Sequence, residues 1–294
     1  MAIQGRGTAD LKELLAQNTC HVMPCCFDAL SARLIEQAGF PLTFMSGFSV
    51  AAARAGLPDT GLLTVSEMLD QGRSICDAIN LPVIGDGDTG HGNAANVHRT
   101  MHQFARAGFA GIMLEDQLSP KRCGHTGVKA VVEREQALKR IRAAVQAREQ
   151  GADLVIIART DARSALAASH GETQALEEAL WRLNAFADLG ADVLFLEAPR
   201  SEQEMARFCR EVPGWRMANM LEGGLTPQLG PDALAALGFR LAAYPLTLIS
   251  AAAFAMKTAL SALQSGTAPQ QLLSFSELKD LVGFPAYDQA ANSD

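Results

Sequence analysis

The 294-residue chain predicts an α/β fold, a closed (β/α)8 TIM barrel, on three observations. Short β-rich runs alternate with Ala/Leu-rich amphipathic stretches about eight times, the number of units a barrel needs. Strand candidates such as Leu154, Val155, Ile156 and Ile157 are continuously apolar, which suits parallel strands covered on both faces. Helical stretches end in Ala38-Gly39, Ala107-Gly108, Leu189-Gly190 and Leu237-Gly238, where glycine closes a helix in the left-handed conformation. No Gly-x-Gly-x-x-Gly turn follows the first strand, which argues against an open doubly wound sheet with a dinucleotide site.

In chain order the strands are expected at 21–25, 42–47, 82–88, 111–116, 154–160, 193–199, 216–220 and 239–245. Amphipathic helices are expected between them at 66–79, 94–107, 133–148, 174–189 and 201–210. Residues 1–262 are read as the barrel catalytic domain and 263–294 as a C-terminal extension, with an apolar segment at 272–284 beyond the eighth unit.

Composition narrows the function classes. With 48% hydrophobic and 19% charged residues the chain can bury a large core. A net charge of −7 argues against a nucleic-acid partner, whose phosphates would repel it. No apolar run reaches the roughly 18 residues of a membrane span, and no basic-then-apolar leader opens the chain, so a cytoplasmic protein with no membrane association is expected. Six cysteines at irregular spacings suit reduced thiols better than a disulfide framework or a zinc site. Cys25 and Cys26, adjacent on a strand, should point to opposite faces.

A barrel places functional residues at the carboxyl ends of its strands. There the sequence has Ser46-Gly47, Asp86-Gly87-Asp88, Glu115-Asp116, Arg159-Thr160-Asp161, Glu197 and Asn219. Asp86 and Asp88, two apart, are expected on one side of their strand, where two carboxylates repel unless a cation lies between them. Oxygen donors alone favour Mg²⁺, or Mn²⁺, with Asp59 and Glu115 gripping the ion's waters. In Lys121-Arg122-Cys123-Gly124-His125 a thiol lies among cationic or titratable side chains, which stabilise the thiolate and make Cys123 a better proton donor or nucleophile. His98 and His102, four apart on a helix, read as surface or packing residues, His91 at the site entrance takes no assigned role, and Met217, Met220 and Phe195 read as core.

With these residues in place the chain resembles the isocitrate lyase/phosphoenolpyruvate mutase superfamily over 28–262. Lys121 to His125 is similar to the signature of the carbon–carbon lyase branch, and Asp86-Gly87-Asp88 looks like its metal-binding Asp-x-Asp. Ser46-Gly47, Leu57-Pro58-Asp59, Glu115-Asp116 and Ala158-Arg159-Thr160-Asp161 make the match specific. The resemblance implies Mg²⁺, a di- or tricarboxylate substrate, and a homotetramer in which the C-terminal helix, here at 272–284, is exchanged between subunits. Phe44, Phe48-Ser49, Leu221 and Ser250 depart from methylisocitrate lyase, Ser250 replacing a substrate arginine. Ser46 to Val50 and Asn219 to Gly224 instead look like the 2,3-dimethylmalate lyase, petal death protein and oxaloacetate hydrolase group. Pro245 stands where the hydrolases carry serine, which favours cleavage of a 2-alkylmalate over oxaloacetate hydrolysis. Oxaloacetate hydrolase, methylisocitrate lyase and a non-catalytic dicarboxylate-binding barrel remain the alternatives. By this resemblance Cys123 is the acid with Lys121 and His125 tuning it. The Ser46 and Gly47 backbone amides and Arg159 hold the 2-oxo acid part, Asn219 and the Gly124-His125 region stabilise the departing fragment, and Glu197 orients Arg159 or ligand waters. Phe44, in the tyrosine position, leaves a metal-bound hydroxide or an unidentified carboxylate to take the hydroxyl proton.

Overall fold

In the computed structural model, which describes residues 7–121 and 129–292, eight parallel strands close into a barrel in sequence order. They are β1 (His21–Cys26), β2 (Thr43–Met45), β3 (Val83–Asp86), β4 (Gly111–Glu115), β5 (Val155–Thr160), β6 (Val193–Leu196), β7 (Trp215–Asn219) and β8 (Leu241–Tyr244). β8 returns to β1 with His21 opposite Leu241 and Pro24 opposite Tyr244, so no sheet edge is left open. The helices are α1 (Thr8–Ala16), α2 (Ala29–Gln37), α3 (Gly47–Val50), α4 (Val65–Ala78), α5 (Ala94–Arg106), α6 (Arg134–Glu149), α7 (Ala162–Ala165), α8 (Ala167–His170), α9 (Glu172–Asp188), α10 (Glu202–Glu211), α11 (Pro231–Leu237), α12 (Thr247–Gln264), α13 (Phe275–Val282) and α14 (Phe284–Ala291). A π-helical turn, Ala51–Ala55, follows α3.

Side-chain alternation along the strands divides the core in two. Val83, Ile112, Leu114, Ile156, Ala158 and Leu194 point outward and pack under the helices. Phe44, Ile84, Met113, Ile157, Phe195 and Met217 point inward and fill the barrel. α1 plugs its amino-terminal end with Leu11 and Leu15, both fully buried. Cys25 lies in the inner cluster and Cys26 in the outer one, as their adjacency on a strand requires. The four expected helix-closing glycines, Gly39, Gly108, Gly190 and Gly238, all have left-handed φ between 82 and 111°.

Four strands, β2, β3, β6 and β8, are clearly shorter than expected. The Gly87 amide still pairs with Met113 O, but Asp88 takes φ 50° and ends β3, so Asp88 is not a same-face strand neighbour of Asp86. β6 stops at Leu196, and Ala198 takes φ 55°. The apolar segment expected at 272–284 forms α13 and the start of α14. α13 lies against α2 of its own chain, where Arg33 Nη1 donates to Leu281 O at 3.3 Å. Much of the apolar surface of these last helices faces outward, with Phe254 73% and Phe275 78% exposed. Among the described residues no helix is long and apolar enough to cross a membrane.

Candidate active site

Each inward core residue near the carboxyl end of the barrel is followed, two positions on, by a residue at its mouth. Phe44 leads to Ser46, Ile84 to Asp86, Met113 to Glu115, Ile157 to Arg159, Phe195 to Glu197 and Met217 to Asn219. The period of two carries the inward direction past the last apolar layer, so the site is the uppermost layer of the barrel interior. A cavity there is lined by Ser46, Asp59, Asp86, Arg159, Glu197 and Asn219 together with Phe44, Phe48, Leu221, Pro245 and Leu246.

The acidic side is built around Asp86. Its Oδ2 accepts from Gly47 N at 3.2 Å and its Oδ1 from Asp88 N at 3.0 Å. A Cβ on residue 47 would sit 2.6 Å from Asp86 Oδ2, so only glycine lets the backbone come this close. Asp59 and Asp88 turn to Lys121, whose Nζ is 2.8 Å from Asp59 Oδ1 and in ion-pair contact with Asp88 Oδ1. Burial pushes the Asp88 carboxyl up to about 7 against the Lys121 ammonium, with Asp86 and Asp59 adding repulsion. Burial likewise pushes Glu115 up to about 8, opposed by Arg159. Glu115 Oε1 is buried and has no hydrogen-bond partner among the described residues. Burial disfavours the Lys121 ammonium, but Asp88, Asp86, Glu115 and Asp59 outweigh it and hold the group charged.

The other side is organised by Arg159. Its Nε and Nη2 grip Asp161 at 2.8 and 3.0 Å, its Nη1 is 3.7 Å from Glu197 Oε2, and its Nε is 3.4 Å from Glu115 Oε2. The guanidinium lies over the Phe195 ring, 5.3 Å from its centroid. Asn219 Nδ2 donates to Glu197 Oε2 at 3.5 Å. Asp161 is also ion-paired to buried Lys129. Burial opposes the Asp161 carboxylate, yet Arg159 and Lys129 hold its pKa below the usual range. Beneath, Asp116 accepts from Asp161 N at 2.9 Å, from Thr160 Oγ1 at 2.6 Å and from Arg182 Nη1 at 3.0 Å.

Ser46, Gly47, Asp59, Asp86, Asp88, Glu115, Lys121, Arg159, Glu197 and Asn219 thus gather at one barrel mouth. The expected acid Cys123, with Gly124 and His125, lies outside the described residues. The two amides expected to face substrate are engaged, Ser46 N with Cys26 O at 3.1 Å and Gly47 N with Asp86. Ser46 Oγ instead accepts from Ser49 N at 3.3 Å and caps α3. Ser250 is exposed on α12, one helical turn beyond Leu246, which lines the cavity. His98 and His102 share a helix face with ring centroids 4.9 Å apart, and His98 reaches Gln150 rather than the cavity. Asp161, Lys129, Asp116 and Arg182 carried no sequence signal of their partnership. Asp116 and Asp161 stand beside site residues in their motifs, whereas Lys129 and Arg182 are linked to them only through space.

Among the described residues the donor set suits a hard divalent cation: the four carboxylates of Asp59, Asp86, Asp88 and Glu115, with the buried Glu115 Oε1 lacking a hydrogen-bond partner. Among the described residues no three acidic, histidine or cysteine side chains converge as a finished ligand cage.

The five described cysteines are all buried. Burial pushes Cys20, Cys26, Cys76 and Cys209 up to about 12, and Cys25 well above the usual thiol range. Thiolate forms only as pH approaches those values, so these thiols are inert at mildly alkaline pH. Iodoacetamide under native conditions is therefore expected to label Cys123 alone. Peptide mass mapping that finds adducts on the buried five would refute this.

A closed parallel barrel with buried carboxylates and an arginine at the carboxyl ends of its strands is a TIM-barrel enzyme site. The family model described as phosphoenolpyruvate phosphomutase matches residues 11–264. The chain is 40% identical to 2,3-dimethylmalate lyase of Eubacterium barkeri over 279 residues, covering 94% of this chain and 93% of that protein. It superposes on oxaloacetate acetylhydrolase bound to the inhibitor 3,3-difluorooxalacetate with a TM-score of 0.91 and 34% identity, over 97% and 96% of the two chains. Phosphonopyruvate hydrolase, solved with oxalate and Mg²⁺, matches with a TM-score of 0.83 and 29% identity over 96% of each chain. The chain belongs to the phosphoenolpyruvate mutase/isocitrate lyase superfamily. Within it the chain is a carbon–carbon bond-cleaving enzyme of the lyase type.

Proposed function

We propose that the protein is a Mg²⁺-dependent lyase that cleaves a 2-alkylmalate, such as 2,3-dimethylmalate, to a 2-oxo acid and a carboxylate. The observation that carries this reading is the two-sided cavity. Asp86, Arg159, Glu197 and Asn219 form a polar half suited to the carboxylates and hydroxyl, and Phe44, Phe48, Leu221, Pro245 and Leu246 form an apolar half suited to alkyl groups. Arg159 is the only cationic side chain among the described residues lining the cavity, which favours a dicarboxylate over a tricarboxylate.

Asp86 and Asp88, with Asp59 and Glu115 through water, would hold the ion; the Mg²⁺ of phosphonopyruvate hydrolase supports its identity. When bound, a divalent cation lowers the pKa of the substrate hydroxyl and balances the charge that develops on its oxygen. Arg159 anchors a carboxylate of the 2-oxo acid part, Glu197 and Asp161 fix its guanidinium, and Ser46 and Gly47 border the same subsite. The C2–C3 bond breaks in the retro-Claisen sense, the hydroxyl losing a proton and the C3 fragment gaining one. Cys123 delivers the proton to carbon, with Lys121 and His125 shaping the field around it. Asn219 and Gly124 stabilise the departing fragment. We also propose a cytoplasmic homotetramer with exchange of the C-terminal helix; the exposed apolar residues of α12, α13 and α14 support association with further copies.

The test is a panel of 2,3-dimethylmalate, other 2-alkylmalates, methylisocitrate and oxaloacetate, assayed with Mg²⁺ and with EDTA. Release of a 2-oxo acid from a 2-alkylmalate at the highest kcat/KM, abolished by EDTA, is expected. Oxalate and acetate from oxaloacetate as the main activity would favour the hydrolase reading, which the oxaloacetate acetylhydrolase neighbour supports.

A further inference from the structure

Lys121 lies among the acidic side chains of the mouth rather than beside solvent. Only 6% of it is exposed, and its ammonium meets Asp59 and Asp88 directly. A buried ammonium is stable only where carboxylates replace its hydration, and these two do so. Their engagement is selective. Asp86 is held by two backbone amides, and Glu115 keeps one oxygen without a partner among the described residues, while Asp59 and Asp88 are drawn to the lysine. That division accounts for four carboxylates at one mouth without a finished ligand cage among the described residues.

We propose that Lys121 sets the divalent-metal affinity of this site, its ammonium drawing on the same carboxylates, Asp59 and Asp88, that a divalent ion needs. The inference rests on reading these carboxylates as the metal site. It gives Lys121 a part beyond tuning Cys123, two residues away, and a part confined to Cys123 would leave metal binding untouched. The Coulomb term between a unit charge and a divalent ion at neighbouring positions is large even under strong screening. Wild-type protein should therefore bind Mg²⁺ weakly without substrate, and the substrate's own oxygen ligands should tighten it.

The experiment is titration of substrate-free, full-length protein with Mg²⁺ by calorimetry and with Mn²⁺ by electron paramagnetic resonance. Lys121→Gln should bind both ions at least about tenfold more tightly than wild type. Lys121→Arg, which keeps the charge, should stay close to wild type. The rise in melting temperature between EDTA and saturating Mg²⁺ should be larger in Lys121→Gln, which also checks that the variant folds. Equal or weaker binding by Lys121→Gln, with wild type binding measurably, overturns the inference alone. Absence of binding by both proteins overturns the reading of the metal site, and the inference with it.

Discussion

Arg159→Met is expected to lower kcat/KM by about 10²–10³-fold and to destabilise the fold by about 3–5 kcal/mol. Both effects follow from its contacts. The guanidinium is the carboxylate anchor of the cavity, and it is also the counter-charge for Asp161, with Glu115 and Glu197 close by, all three buried. Methionine keeps much of the volume and removes the charge, which leaves Asp161 with Lys129 as its counter-ion and takes the guanidinium away from Glu115 and Glu197. Lys at 159 should restore part of the stability but little activity, because a point charge cannot make the two-pronged contact with Asp161. Steady-state kinetics and urea unfolding separate the two effects. A stability loss with unchanged kinetics would make Arg159 a structural counter-ion and remove it from substrate binding.

Cys123→Ser should reduce kcat by about 10²–10⁴-fold, the usual contribution of a positioned general acid. A serine hydroxyl is similar in size but a far weaker acid, so proton delivery to carbon fails while the subsites stay intact. Mg²⁺-dependent binding of oxalate, followed by calorimetry, should remain close to that of the wild type. Near-full activity in this variant would sink the assignment of Cys123 as the acid. Loss of oxalate binding along with activity would point to a role in ligand binding instead.

Most of the mouth was legible because barrel geometry turns position into direction. Once eight strands are recognised, the residue two places beyond the last inward apolar side chain must face the axis. Asp86, Glu115, Arg159, Glu197 and Asn219 follow from Ile84, Met113, Ile157, Phe195 and Met217 by counting. The reasoning failed where the backbone left the strand. Asp88 was expected to share a face with Asp86 by strand periodicity, but it meets Lys121 from a left-handed turn. Ser46 and Gly47 were expected to offer free amides, yet Ser46 N continues the pairing toward β1 and Gly47 N holds Asp86.

By itself the sequence determined the barrel and the strand ends at which the polar residues gather, and it set the expectations of an all-oxygen donor set and of reduced cysteines. These depend on period, residue type and order, which are local properties of the chain. Only the tertiary structure decided the pairings: Lys121 with Asp59 and Asp88, Lys129 with Asp161, and Arg182 with Asp116. Each joins residues at least 30 positions apart, and no local pattern encodes which buried charge will meet which. The low dielectric of the interior makes those choices consequential, because a buried charge must find an opposite one and the fold alone fixes which is within reach.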